Sequence, residues 1–180
     1  MNTLEAIGKR TSYRGTYKDT PVPKEDLITI MKAGLAAPSG CNKQTTSLIA
    51  VDDPVVLAKL RKALDPPVAE TAPAFICVLT QQILAYNTGE GPRYYNIHDY
   101  SAAIENMLLA MIDLGYESCW YEGHVTDIDR IGRRIADALD VPADYDLVCV
   151  LPIGIADGPV GVPSKKPFEE RAWFNGFMKK

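Results

Sequence analysis

The sequence predicts a mixed β-sheet that carries helices on its faces. Three observations predict it. Apolar residues recur at helical spacing in several segments. Short apolar runs of strand length lie between those segments. Of the 180 residues, 47% are hydrophobic, which suits one packed core rather than several small ones.

TLEAIGKR, residues 3–10, sets Leu4 and Ile7 three apart behind Thr3, a candidate N-cap, and reads as a short first helix. TSYRGTYKDTPVP follows as a polar connection stiffened by Pro21 and Pro23. Leu27, Ile30, Met31 and Gly34 then mark a second helix, ended by Pro38 and Gly40. SLIAV (47–51) is a strand. VVLAKLRKAL (55–64) is a helix with Leu57, Leu60 and Leu64 on one face. PAFICVLT (73–80) has the unbroken apolar run of a strand covered on both sides.

Residues 81–96, with Gly89, Gly91 and Pro92, read as an irregular loop suited to a lid. IHDYSAAIENMLLAMIDLG (97–115) is the longest helix, closed by Gly115. ESCWYEG is a short strand or extended turn. DIDRIGRRIADALD (127–140) turns Ile128, Ile131, Ile135 and Leu139 inward as a helix, and DLVCVLPIGIAD (146–157) is the last buried strand. The division expected is a domain over 1–163 and an arm over 164–180. Trp173, Phe174 and Phe177 exceed what so short a tail can cover locally, so the arm is expected to pack on a partner subunit.

Composition narrows the function classes. A net charge of -4 argues against general nucleic-acid binding, which rests on neutralising phosphates. The N-terminus has no continuous apolar core of a secretory signal, and no apolar run is long enough to span a bilayer, so a cytoplasmic protein away from membranes is expected. Cys41, Cys77, Cys119 and Cys149 show no CxxC spacing, and His98 and His124 lack a zinc-ligand pattern; no metal is expected.

Four short motifs remain. In KRTSYR, Arg10, Ser12 and Arg14 alternate, so an extended backbone sends all three to one side as an anion clamp. Lys165 and Lys166 lie between Pro163 and Pro167, which hold the flanking backbone extended. PSGCNKQ offers Ser39, Asn42 and Gln44, whose groups can meet donors and acceptors on a heterocycle, and Cys41 as a possible reactive thiol. CWYEG offers Trp120 and Tyr121 as walls for a flat ligand, and Gly123 for close backbone approach. Each motif taken alone reads more readily as a solvated turn, a charge pair, a plain loop or core aromatics.

Their order is more specific. RTSYR, APSGxNxQ, LGxxSCWYEG, LPIG and PSKKP follow one another as in the FMN-dependent nitroreductases, and the chain resembles that family from Leu4 to about Glu170. The resemblance implies a nitroreductase-like α+β fold and an intertwined homodimer with an exchanged C-terminal arm. It implies FMN at the subunit boundary: Arg10, Thr11, Ser12 and Arg14 from one chain; Pro38, Ser39, Gly40, Asn42 and Gln44 from the other. Trp120, Tyr121, Glu122 and Gly123 would pass the flavin N5 edge, and Lys165 with Lys166 would close on the phosphate. It further implies ping-pong hydride transfer from NADH or NADPH to an electron-poor small molecule such as a nitroaromatic or quinone, with no side chain as nucleophile. Alternatives are a specialised acceptor (a reductive dehalogenase or enone reductase), a flavin-binding protein with little turnover, and a thiol redox protein working through Cys41. The chain departs from many relatives at Thr45 and Thr46, where they carry a Pro-Trp-type continuation, and it is short for the family. Its 81–96 stretch, with Tyr86, Arg93, Tyr94 and Tyr95, is expected to supply the missing cover.

Overall fold

A computed structural model describes residues 1–65, 67–126 and 131–178. The first helix, α1 (Thr3–Lys9), starts one residue earlier than its apolar spacing suggested. Asn2, not Thr3, is the N-cap: its side chain accepts from Glu5 N at 3.0 Å, and the Glu5 carboxylate accepts from Asn2 N at 3.2 Å. Leu4 and Ile7 point outward, 80% and 52% exposed, while Ala6 is buried. The helix α2 (Lys24–Leu35) follows and stops before Pro38. It lies so close to α4 (Asn96–Asp113) that a Cβ on Gly34 would come within 2.7 Å of Met107.

Three strands form the main sheet: β1 (Thr46–Val51), β2 (Ala74–Thr80) and β5 (Asp146–Ile153), in the order β1-β2-β5. The α+β class is as expected, but the pairings among the described residues are antiparallel rather than mixed. The reason lies in the connections. The chain leaves β1 through the ten residues of α3 (Pro54–Ala63) and re-enters the sheet so that Phe75, the second residue of β2, lies opposite Val51 at the end of β1.

Every residue of β2 is buried, and alternate side chains feed two cores. Phe75, Cys77 and Leu79 pack with Leu57, Leu60, Ile131 and Ile135 from α3 and α6 (Ile131–Ala138). Ile76 and Val78 pack with Ile30, Ile104, Met107 and Met111 from α2 and α4. Leu57, Leu60 and Leu64 are all buried, as their spacing required. The expected helix over 127–140 is present from Ile131 to Ala138, with Leu139 partly buried against the core; Ile128 lies outside the described residues.

The loop expected at 81–96 contains a hairpin instead, β3 (Tyr86–Thr88) with β4 (Gly91–Arg93). Gly89 and Glu90 make its turn, and Gly91 sits at φ +120°, where residues with side chains rarely go. Such short strands have too little alternation to register as a pattern. ESCWYEG is the extended turn expected: isolated bridges join Glu117 to Gly154 and Tyr121 to Val150, before the short helix α5 (Gly123–Thr126). Beyond β5 the chain is exposed almost throughout from Asp157 to Met178. No helix among the described residues is long and apolar enough to cross a membrane.

Candidate functional site

The segment after α1 is extended, and its side chains alternate as predicted. Thr11 and Tyr13 face the core, while Ser12 and Arg14 are exposed and Arg10 is half-buried beside them. Tyr13 N donates to the Ser118 carbonyl at 2.8 Å, which locks the register against the 116–122 segment. Arg10, Ser12 and Arg14 line one cavity of about 400 Å³ with Gly161, Val162, Pro163 and Lys165. Two motifs about 150 residues apart in sequence therefore meet. Lys166 is exposed next to this lining, and Thr11, being buried, presents no side chain to it. The Thr11 Oγ1 has no partner among the described residues.

The charges here are unevenly satisfied. Arg10 Nε lies 3.3 Å from Glu105 Oε1 on α4, which fixes the guanidinium from behind. Among the described residues, Arg14 and Lys165 have no carboxylate within ion-pair distance. Cys119 sits behind Ser12; burial pushes its thiol pKa up, against the pull of Arg14 and of hydrogen bonds with Tyr121 and Ser12. Burial likewise pushes the Tyr121 phenol up to about 12. Cys41, the candidate thiol, is exposed. Among the described residues no cluster could hold a metal ion.

The amide loop lies elsewhere in the chain. Pro38, Ser39 and Gln44 line a second cavity of about 170 Å³ with Gly34, Thr46, Asp99 and Ala103, and share no residue with the first. A 3-10 turn (Gly40–Asn42) shapes the loop. Cys41, Asn42 and Gln44 take φ of 51°, 54° and 49°, a left-handed region that costs a side-chain-bearing residue about 1–2 kcal/mol, less for Asn. Asp99 holds this strain in place. Its Oδ1 accepts from Gly40 N at 2.7 Å and its Oδ2 from Thr45 Oγ1 at 2.8 Å, and it is buried. Gly40 is required for packing: a Cβ there would come within 2.5 Å of the Tyr95 ring. Tyr95 in turn shares a 2.8 Å hydroxyl hydrogen bond with Tyr86 of the hairpin. Asn42 and Gln44 stay exposed, with their side chains free to meet something outside the chain.

The third group is the 120–123 segment. Trp120, Tyr121 and Glu122 are half-buried and Gly123 is exposed. Glu122 accepts from Trp120 Nε1 at 2.7 Å and from the Tyr100 hydroxyl at 2.6 Å. None of the sequence motifs singled out Tyr100, Asp99 or Glu105. Asp99 left a trace, an acid at the start of an apolar helix.

The family model for the nitroreductase family matches residues 7–66 and 61–155. The chain belongs to the nitroreductase family. It is 31% identical over 152 residues to an Archaeoglobus fulgidus protein named provisionally as an NADH dehydrogenase/NAD(P)H nitroreductase, covering 84% of this chain and 83% of that one. It is 25% identical over 190 residues to iodotyrosine deiodinase 1 of Rattus norvegicus, covering 90% of this chain and 65% of the relative. Among solved structures, an FMN-dependent nitroreductase from Clostridium difficile R20291 superposes with a TM-score of 0.77 at 28% identity, covering 97% of this chain and 99% of the other. The fold is therefore that of nitroreductases, and the chain is an oxidoreductase of that family.

Proposed function

We propose that this protein binds FMN between two copies of itself and passes electrons from NADH or NADPH to an electron-poor small molecule, such as a nitroaromatic or quinone. One observation carries the reading: Arg10, Ser12, Arg14 and Lys165 converge on a single cavity, and Arg14 and Lys165 bring it charge that no carboxylate among the described residues neutralises. A cationic donor set of this kind fits a phosphate-bearing cofactor, and the family resemblance and the FMN-dependent structural neighbour favour FMN.

Arg10, Ser12 and Lys165 would hold the phosphate and ribityl end, with Lys166 adding charge from outside the cavity wall. Arg14 would face the pyrimidine ring, where a fixed guanidinium stabilises negative charge gained on reduction. The main chain at Glu122 and Gly123 would donate at the N5 edge. Pro38, Ser39, Gly40, Asn42 and Gln44 would come from the second copy, which explains why they lie apart from the basic cavity in one chain. When bound, FMN supplies hydride chemistry at N5, so the protein needs no nucleophile of its own. Donor and acceptor using one face in turn would give ping-pong kinetics.

Arg10→Ala is expected to yield folded protein depleted of FMN by absorbance at 450 nm, at about 1.5–3 kcal/mol of lost binding for one charge-assisted contact. Full occupancy in that variant contradicts the phosphate assignment. A second reading, reductive removal of halogen from a phenol, is favoured by the similarity to iodotyrosine deiodinase 1. Anaerobic oxidation of the reduced protein by halophenols, set against nitroaromatics and quinones, separates the two.

A further inference from the structure

The Glu122 carboxylate is held with unusual completeness for a residue on a half-exposed segment. Tyr100, buried on α4, donates its hydroxyl to Oε1 at 2.6 Å, and the Trp120 indole donates to Oε2 at 2.7 Å. The main chain is fixed too: the Glu122 carbonyl accepts from Val125 N at 2.7 Å and Thr126 N at 2.9 Å. On its other side, Tyr121 pairs with Val150. Burial and the bond to Glu122 push the Tyr100 phenol pKa far up, so it stays a donor at any working pH.

Packing alone does not ask for this. Phe would fill the place of the Tyr100 ring in the α2–α4 core, and a buried hydroxyl adds a demand that Phe does not. The two donors come from different elements and take one carboxylate oxygen each, which fixes the direction in which the acid points.

We infer that Tyr100 and Trp120 are positioning residues that turn the Glu122 charge into the protein, so that it does not oppose the gain of electrons by a ligand lying against residues 120–123. The inference rests on the flavin reading above and deepens it. An acid free to swing toward the ligand would disfavour the reduced, negatively charged form and lower its midpoint potential. Held inward, it leaves the main-chain amides as the groups presented.

The test is the midpoint potential of bound FMN, measured by spectroelectrochemistry, in wild type, Tyr100→Phe/Trp120→Phe, and the same double variant carrying Glu122→Gln. The double variant is expected to bind FMN with a lower potential, and Glu122→Gln is expected to return it toward wild type. Tyr100→Phe with and without Glu122→Gln gives the same comparison, smaller and of the same sign, should the double variant not fold. An unchanged potential, or a drop that Glu122→Gln leaves in place, overturns the positioning role while leaving the flavin reading standing. Failure of wild type to take up FMN overturns the flavin reading and this inference with it.

Discussion

The sheet with its two flanking cores and the segment from Gly158 to Met178 obey opposite rules. In the first, β2 is buried at every position, and Phe75, Ile76, Ile104, Met107 and Leu151 have no exposed surface. In the second, Val162, Phe168, Phe174 and Phe177 are 83%, 62%, 68% and 77% exposed. Trp173 and Phe177 pack on each other, ring centroids 4.5 Å apart. Exposing that much apolar surface forfeits about 25 cal/mol for each Å² left in water. Leu4 and Ile7 on α1 repeat the pattern. The body of the fold is complete in one chain. On the proposal above, the exposed apolar side chains of the tail and α1 and the strained amide loop would be met by a second copy.

Removing residues 164–180 is the largest test of this contrast. The expected outcome is a folded body, by circular dichroism, that sediments as a monomer and no longer retains FMN. A truncated protein that stays dimeric and yellow would remove the tail from the interface. Next in size is Asp99→Ala. It strips partners from Gly40 N and from the buried Thr45 hydroxyl, at an expected cost of about 2–4 kcal/mol in urea unfolding. A loss under about 1 kcal/mol would mean the amide loop holds its shape without α4.

A smaller test concerns Glu117, inside the body. Burial raises its carboxyl pKa above the ordinary 4.5, and its Oε2 has no partner among the described residues. A raised folded-state value means that folding favours the protonated acid. Stability is therefore greatest below the unfolded-state pKa and falls as pH rises through the folded-state one. Glu117→Gln is expected to match the parent near pH 4 and exceed it modestly near pH 7, by thermal melting at both values. Equal stability at both would show that the acid is relaxed by solvent.

The contrast also explains what the sequence could show. The body was legible because burial imposes period: Leu57, Leu60 and Leu64 recur every three or four residues, and all three are buried. The basic motif was legible for the same reason in extended chain, since Thr11 and Tyr13 go in while Ser12 and Arg14 go out. Leu4 and Ile7 carried the right spacing, yet spacing does not say whether the covering surface belongs to the same chain. The links that hold the site are pairings between distant residues, Asp99 with Gly40 and Tyr100 with Glu122, and no local pattern encodes them. Strand direction was illegible too, because β2 reads the same with parallel or antiparallel neighbours.

The central claim is that each flavin site takes its basic clamp from one chain and its amide loop from the other. Mixed dimers test it directly. One chain carries Arg10→Ala, the other Asn42→Ala/Gln44→Ala, with different affinity tags so that only the heterodimer is isolated. The account predicts that both parent homodimers are depleted of FMN, while the heterodimer regains one FMN per two chains, because one of its two sites has an intact clamp and an intact loop. A heterodimer as empty as its parents would place clamp and loop of each site in the same chain and contradict the account.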